Sequence, residues 1–138
     1  MAVLISGWQR RLSAAAIGSS KKIVAVETEG TPTLHEALKA GKPVDVAISG
    51  IAADALGASR IGTPNFEVAR TLVRDSVLVT DEAVRETQRV LWDELRTVAE
   101  PAGATGLAAL RAGAYRPAPG ERVATLICGA NTDPGSVA

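Results

Sequence analysis

The sequence predicts an α/β fold in which a mostly parallel sheet is flanked by helices. Three short runs rich in apolar and β-branched residues, at 21–27, 76–79 and 123–128, have the length of buried strands. Segments with helical periodicity separate these runs along the chain. Because apolar strands that alternate with helices are typical of parallel sheets covered on both faces, the order of the segments places the chain in this class.

The first two predicted helices, 31–41 and 63–73, each begin with a Thr-Pro pair. In the first of them Thr31 is the predicted N-cap, Pro32 lies in the first turn and Gly41 follows the last turn. Both ends of this helix are therefore marked in the sequence.

The longest predicted helix spans 80–99 and begins at a capping residue, Thr80. Asp81 and Glu82 follow in its first turn, where the positive end of the helix dipole favours acidic residues. One face of this helix is apolar and is predicted to pack on the sheet; it consists of Val84, Leu91, Leu95 and Val98.

A further helix is predicted to start at Pro101, because proline suits the first turn of a helix. From residue 102 to residue 110 the chain contains only Ala, Gly, Thr and Leu, and the next charge is Arg111. Glu100 precedes this helix, where the dipole stabilises a carboxylate by about 0.3–1 kcal/mol. The small side chains indicate a close packing partner, which is either protein core alone or core together with a ligand.

The composition suits a single globular domain, with 138 residues of which 46% are hydrophobic and 22% charged. Equal numbers of basic and acidic residues, 15 of each, and 3% aromatic residues argue against nucleic-acid binding and against a membrane-surface role. The single cysteine, Cys128, permits no disulfide within the chain and fits the cytoplasm, which is the expected location. No stretch approaches the roughly 18 apolar residues that a membrane span requires, so we expect none. We also expect no signal peptide, because no basic region precedes the apolar residues 1–5.

The segment Cys128-Gly129-Ala130-Asn131 follows the last predicted strand. In open parallel sheets ligands bind beyond the carboxyl ends of the strands, and small residues there let the backbone approach a planar ligand. The alternative is a buried cysteine that acts as a small apolar residue before a turn.

Two other polar residues are candidates for a site. Glu27 ends the first predicted strand and would ligate a cation if other oxygen atoms converged on it, although a glutamate at a strand end is more often solvated. His35 is the only histidine and lies beside Glu36 on the polar side of its predicted helix, so we interpret it as a surface residue.

Five segments of the chain, in order, read IVAVETEGTPTLHEALKAG, GIAADALGA, VLVTDEAV, VAEPAGATGLAAL and TLICGANTD. This series resembles the C-terminal half of the pyridoxal-phosphate-dependent serine/threonine dehydratases, the fold-type II group that also includes serine racemase. The resemblance implies that residues 1–138 form one partial domain of the larger lobe of that fold. It also implies pyridoxal phosphate as the cofactor and an amino acid as the substrate.

The resemblance assigns contacts with the cofactor to Cys128, Gly129, Asn131 and Glu100. In the family a strand ends in Ser or Cys followed by Gly-Gly-Asn, and here Ala130 replaces one glycine. The Ser or Cys side chain faces the pyridine nitrogen of the cofactor. Because a thiol is a weak partner, the nitrogen stays largely unprotonated, which suits elimination of a β-hydroxyl group. Glu100 matches the glutamate of the family's E-P-x-G block.

Other positions depart from the family pattern. Glu27 matches the glutamate that ligates a cation in racemase-like members, but Thr33 stands where those members have a second acid. The family's A-D-G triplet is A-D-A here, with Ala55 in place of glycine. The implied metal site at Glu27 is therefore incomplete.

The resemblance supplies no catalytic residue. The Schiff-base lysine of the family lies in an S-F-K-type motif, and that neighbourhood surrounds none of the lysines of this chain, which are Lys21, Lys22, Lys39 and Lys42. The family's glycine-rich phosphate loop precedes an L-I-x-G helix start, whereas Leu4-Ile5-Ser6-Gly7 here follows Met1-Ala2-Val3. Two interpretations follow. The chain is either a dehydratase fragment or subunit that works only with a missing N-terminal half, or a non-catalytic relic or partner-binding module of the same fold.

The absent half also predicts self-association. The strand residues 23–26 contain no charge or proline, and we expect them to lie at an open sheet edge that recruits another chain. A symmetric dimer is the simplest closed arrangement. The alternative is that residues 1–20 fold back over the exposed surface.

Overall fold

The fold is a parallel sheet with helices on both faces, in a computed structural model that describes residues 1–5 and 21–136. Within these residues the strands are β1 (Ala2–Ile5), β2 (Lys22–Thr28), β3 (Val73–Val79) and β4 (Val123–Thr125). All their pairings are parallel, in the order β3-β2-β1-β4. The α-helices are α1 (Thr33–Ala40), α2 (Ala53–Leu56), α3 (Thr63–Leu72), α4 (Asp81–Leu95) and α5 (Pro101–Arg111). The predicted α/β class is confirmed.

The core has two parts, one on each face of the sheet. On one face Val24 and Val26 of β2 pack in a cluster with residues of β1, α4 and α5. On the other face Ala25 packs with residues of α1 and α3, including Leu34 and Phe66. Since both faces of β2 are covered, its apolar residues form an uninterrupted run in the sequence.

The centre of the sheet is formed by the start of the chain. Residue Ala2 pairs with Lys22 of β2 on one side and with Val123 of β4 on the other. Ala2 and Leu4 are fully buried. The expectation that residues 23–26 form an open edge is therefore wrong, because β2 lies between β1 and β3.

Residues 2–5, which the alternative expected to fold back over an exposed surface, instead form an inner strand of the sheet. Leu4 and Ile5, which resemble part of a helix start in the family, belong to this strand. Ser6 and Gly7, and the rest of the segment up to residue 20, lie outside the described residues.

Helix boundaries follow most of the sequence signals. The Thr80 side chain accepts a hydrogen bond from the Ala83 N–H at 3.2 Å, as its predicted capping role requires. Gly41 ends α1 in the left-handed conformation with φ of 69°. Thr31 does not cap α1; it is fully buried, and its hydroxyl shares a 2.8 Å hydrogen bond with the hydroxyl of Thr28.

The apolar stripe predicted along the longest helix is only partly buried. Val84 and Leu91 lie in the core, but Leu95 is 66% exposed. The helix ends at Leu95 because Arg96 takes the left-handed conformation, with φ of 52°. Val98 therefore lies beyond the helix, where it is half-buried.

No helix among the described residues is both long enough and apolar enough to cross a membrane.

Candidate functional site

The order of the strands marks one place at the carboxyl edge of the sheet. From β1 the chain moves outward to β2 and β3, and it then returns to place β4 on the other side of β1. A ligand of an open parallel sheet binds where the strand order reverses in this way, which here is beyond the ends of β1 and β4. The segment from Cys128 to Asn131 follows β4 at this point.

Helix α5 begins directly against this segment. The Glu100 N–H donates to the carbonyl oxygen of Gly129 at 2.8 Å. A Cβ atom at Gly103 would overlap the carbonyl oxygen of Cys128, and one at Gly106 would overlap the hydroxyl of Thr125. The small residues of α5 therefore permit the helix backbone to touch the backbone beyond β4, and the structure brings Glu100, Cys128 and Gly129 together.

Gly129 is required by two features of this junction. Its φ is 76°, which side chains other than hydrogen rarely tolerate. A Cβ atom there would also overlap the carboxylate of Glu100. Glu100 occupies the N-cap position of α5, but its side chain does not cap the helix and instead lies beside Gly129.

Cys128 is exposed, and so is Asn131. The alternative interpretation of Cys128 as a buried apolar residue is therefore wrong. An exposed thiol at the point where the strand order reverses is accessible to a ligand or to a reagent.

Gln88 is a residue that the sequence analysis missed. It lies on α4 and is 6% exposed, and its side-chain Nε2 donates to the carbonyl oxygen of Ala99 at 2.8 Å. Gln88 follows Val84 and precedes Leu91 at the spacing of one helix face. A polar residue on such a buried face is a detectable signal, because its amide must find a partner inside the protein.

Glu27, in β2, lies beside the start of α1. It is 3% exposed, and its two carboxylate oxygens accept from the N–H groups of Leu34 at 3.0 Å and His35 at 2.8 Å. Burial raises the pKa of Glu27 to about 7, although the two backbone hydrogen bonds act in the opposite direction. The carboxylate therefore caps α1, and the usual solvated glutamate at a strand end is not found here.

Among residues 1–5 and 21–136 there is no group of three or more His, Cys, Asp and Glu side chains that could hold a metal ion. Thr33, at the position of the second acid in racemase-like proteins, donates its hydroxyl to the carbonyl oxygen of Ala58 at 2.5 Å. His35 is half-buried rather than at the surface, and its Nδ1 lies 3.2 Å from the hydroxyl of Ser76. The polar side chains around Glu27 thus already have partners within the protein.

The lysines lie elsewhere in the fold. Lys22 is at the amino end of β2, where its Nζ lies 3.8 Å from a carboxylate oxygen of Asp75 and 4.9 Å from the centre of the Tyr115 ring. Lys39 lies in the last turn of α1 and pairs with Glu36 at 3.5 Å. Lys21 precedes β2, and Lys42 follows α1. None of these lysines is at the carboxyl end of β4.

Comparison with known proteins identifies the family. The model of the family described as "Pyridoxal-phosphate dependent enzyme" matches residues 2–129. The chain belongs to this family. The chain is similar to phenylserine dehydratase of Ralstonia pickettii, with 36% identity over 117 residues, or 85% of this chain and 36% of that protein. The biosynthetic L-threonine dehydratase of Salmonella typhimurium is 35% identical over 113 residues, or 81% of this chain and 22% of that protein.

Solved structures agree with this assignment. The threonine deaminase of T.th. superposes with a TM-score of 0.82 and 29% sequence identity, covering 96% of this chain and 49% of that one. The chain thus spans about half of that structure and a smaller part of the two dehydratases. The fold of this family member corresponds to part of a fold-type II enzyme.

Proposed function

We propose that this chain forms the C-terminal part of a pyridoxal-phosphate-dependent dehydratase site for serine or threonine, and that it is inactive without the other part. The observation that carries the proposal is the junction of β4 and α5. It holds an exposed thiol where the strand order reverses, and it has no lysine beside it among the described residues. A lysine nucleophile, which this chemistry requires, must then come from elsewhere.

The described residues fit one side of the cofactor. Cys128 would face the pyridine nitrogen as a weak hydrogen-bond partner, while Gly129, Asn131 and Glu100 would line the same side. When bound, pyridoxal phosphate supplies the electron sink for elimination from an amino acid. The contribution of this chain is to orient the ring through the short backbone contact between α5 and the segment after β4.

The proposed site includes no cation at Glu27. Both of its carboxylate oxygens accept backbone N–H groups of α1, and Thr33 is bonded to Ala58. A cation would have to displace the cap of α1 to reach this carboxylate.

The test compares the chain alone with the chain supplied with a complementary half. That half is the part of phenylserine dehydratase that lies outside the matched segment. With pyridoxal phosphate and serine or threonine, we expect no 2-oxo acid from the chain alone and product from the mixture. Product from the chain alone would contradict the proposal. A complex that forms without activity would favour the second candidate function, a non-catalytic module, which the lack of a nearby lysine also supports.

Binding of the cofactor by the chain alone is a separate measurement. We expect weak binding and no lysine-specific attachment, because the lysines lie at the amino end of β2 and around the end of α1. Reduction with borohydride in the presence of pyridoxal phosphate, followed by peptide mapping, tests this. One lysine labelled in stoichiometric amount would contradict it.

We propose that the chain self-associates at β4 rather than at β2. β4 is an outer strand of the described sheet, and residues 123–130 contain no charge. The other outer strand, β3, carries exposed Arg74 and Asp75, which oppose edge-to-edge pairing. Leu126, which follows β4, is 50% exposed. These features support a homodimer through the β4 edge.

Light scattering on the purified chain at micromolar concentration tests the dimer. We expect Leu126→Lys to shift the mass toward that of a monomer. Val68→Lys is the matched control, because Val68 is also an exposed apolar residue, 44% exposed on α3. A wild-type protein that is monomeric, or equal effects of the two substitutions, would exclude this interface.

A further inference from the structure

We infer that Gln88 is a positioning residue, which sets the geometry of Cys128 and Gly129 through a single peptide unit. Within residues 1–5 and 21–136, the side chain of Gln88 makes its hydrogen bond to Ala99 and none to the segment after β4. Its bearing on a cofactor rests on the proposed function, but its effect on the geometry of the chain does not.

The peptide unit in question joins Ala99 to Glu100. Its carbonyl oxygen, on Ala99, accepts from Gln88 Nε2 at 2.8 Å. Its N–H, on Glu100, donates to the carbonyl oxygen of Gly129, also at 2.8 Å. Because a peptide unit is planar, the two groups turn together. Gln88 therefore controls the direction in which the Glu100 N–H points.

The neighbouring structure leaves this peptide unit dependent on Gln88. After Arg96, which is in the left-handed conformation, the Thr97 N–H still donates to the carbonyl oxygen of Leu91 at 3.0 Å, but Val98 and Ala99 lie beyond this last backbone bond to α4. On the other side Pro101 restricts Glu100 to an extended conformation, with φ of −65° and ψ of 160°. The Ala99–Glu100 peptide unit can still rotate about the single bonds that flank it. The hydrogen bond from Gln88 opposes this rotation.

Because both partners are buried, the hydrogen bond between Gln88 and Ala99 is costly to lose. Gln88 is 6% exposed and Ala99 is 1% exposed, so water does not readily replace either partner. If the donor is lost, the buried carbonyl of Ala99 must turn toward another donor. The Glu100 N–H then turns away from Gly129, and the backbone next to Cys128 loses its anchor to α5.

The experiment uses the chain without cofactor and follows two probes. The first is the exchange protection of the Glu100 amide proton. The second is the rate at which iodoacetamide modifies Cys128, the only cysteine. In Gln88→Leu, which keeps the approximate volume and removes the donor, we expect protection of Glu100 to fall by roughly fivefold to tenfold, as loss of one hydrogen bond predicts. The alkylation rate of Cys128 should change as well.

Thr87→Val is the matched control. Thr87 is fully buried on the same helix, but its hydroxyl donates within α4 to the carbonyl oxygen of Ala83 at 2.7 Å. This variant should lose stability without altering either probe at the β4–α5 junction. Equal effects of the two substitutions on Glu100 and Cys128 would overturn the inference, because the role of Gln88 would then be only structural.

Gln88→Glu keeps the inference testable if the leucine variant does not fold. A protonated glutamic acid can donate to Ala99, whereas an ionised one repels the carbonyl oxygen. The protection of Glu100 in Gln88→Glu, divided by that in the wild type, should therefore fall as the pH rises; the ratio cancels both intrinsic exchange and the pH dependence that Glu27 gives to both proteins. A pH-independent ratio of the two would contradict the role of Gln88. Failure of cofactor binding or activity, by contrast, would contradict only the proposed function.

Discussion

Two glutamates, Glu27 and Glu100, each lie at a junction between a strand of the sheet and the start of a helix. They differ in whether the carboxylate caps the helix. Glu27 is buried and uses both carboxylate oxygens to cap α1. Glu100 occupies the N-cap position of α5, but its carboxylate does not cap that helix and lies beside Gly129.

The difference shows where each junction obtains its stability. At the β2–α1 junction a side chain satisfies the free N–H groups of the helix, and its burial raises the pKa of Glu27. At the β4–α5 junction backbone meets backbone through glycines, and the Glu100 N–H rather than its carboxylate makes the hydrogen bond to Gly129. The stability of the first junction is consequently expected to depend on pH, and that of the second on side-chain volume.

The largest expected effect comes from adding one methyl group to the β4–α5 junction. A Cβ at Gly103 overlaps the backbone oxygen of Cys128, which cannot move as a flexible side chain can. We expect Gly103→Ala to lower the free energy of unfolding by about 4 kcal/mol, beyond the usual cost of overpacking. Urea unfolding followed by circular dichroism measures this loss.

Gly62→Ala is the control for that substitution. Gly62 has φ of −67°, and a Cβ there would lie 3.7 Å from the side-chain nitrogen of Asn65, an ordinary contact. Because Gly62 is the N-cap of α3, where glycine is better than alanine, we expect Gly62→Ala to lower the free energy of unfolding by about 1 kcal/mol or less. Similar losses in the two variants would show that α5 does not depend on close contact with the segment after β4.

The next effect concerns pH and the β2–α1 junction. The folded protein holds the pKa of Glu27 at about 7, above the ordinary value of 4.5, so the folded state binds the proton more tightly than the unfolded state. Stability from this group is therefore complete below the ordinary pKa and declines as the pH rises toward 7. The decline is on the order of 3 kcal/mol between these two values.

Glu27→Gln isolates this contribution, because glutamine is nearly the same size and does not titrate. The free energy of unfolding of the wild type, minus that of Glu27→Gln, should fall as the pH rises from 4.5 to 7 and then level off. Urea unfolding at several pH values measures the difference. A difference that stays constant with pH would mean that Glu27 is not the titrating group.

The smallest effect separates the two features of Gly129. We expect Gly129→Ala to cost about 1 kcal/mol for its left-handed backbone, plus a term for its overlap with Glu100. The carboxylate is flexible, so Glu100→Ala in the same chain should recover the second term. Gly120→Ala measures the first term alone, because Gly120 has φ of 77° and no atom within 4 Å of an added Cβ. If the double substitution costs as much as the sum of the single ones, Glu100 does not pack on Gly129.

The local signals of the sequence determined much of the fold. Apolar runs with β-branched residues located β2 and β3, and the strand predicted at 123–128 contains β4, which ends at Thr125. Thr80, Gly41 and Pro101 marked helix ends at which the backbone conformation agrees with the prediction. These signals are reliable because capping and strand formation depend on residues close together in the chain.

The resemblance to the dehydratases was also present in the sequence, since it depends on the order of short segments, and the family is confirmed. It placed Cys128, Gly129 and Glu100 in one site, and the structure brings these residues together at the β4–α5 junction. Their contact with a cofactor stays a prediction.

Only the tertiary structure decided how distant parts of the chain meet. Residues 2–5 fill the centre of the sheet, although they resemble the approach to a helix, because the space between β2 and β4 gives them partners on both sides. Glu27 became a buried helix cap because α1 turns back over the end of its own strand. The role of Gln88 depends on a loop that returns to α4 after the helix has ended. Long-range pairing and burial decide these features; the local pattern places Gln88 on the apolar face of its helix but does not show which group it bonds.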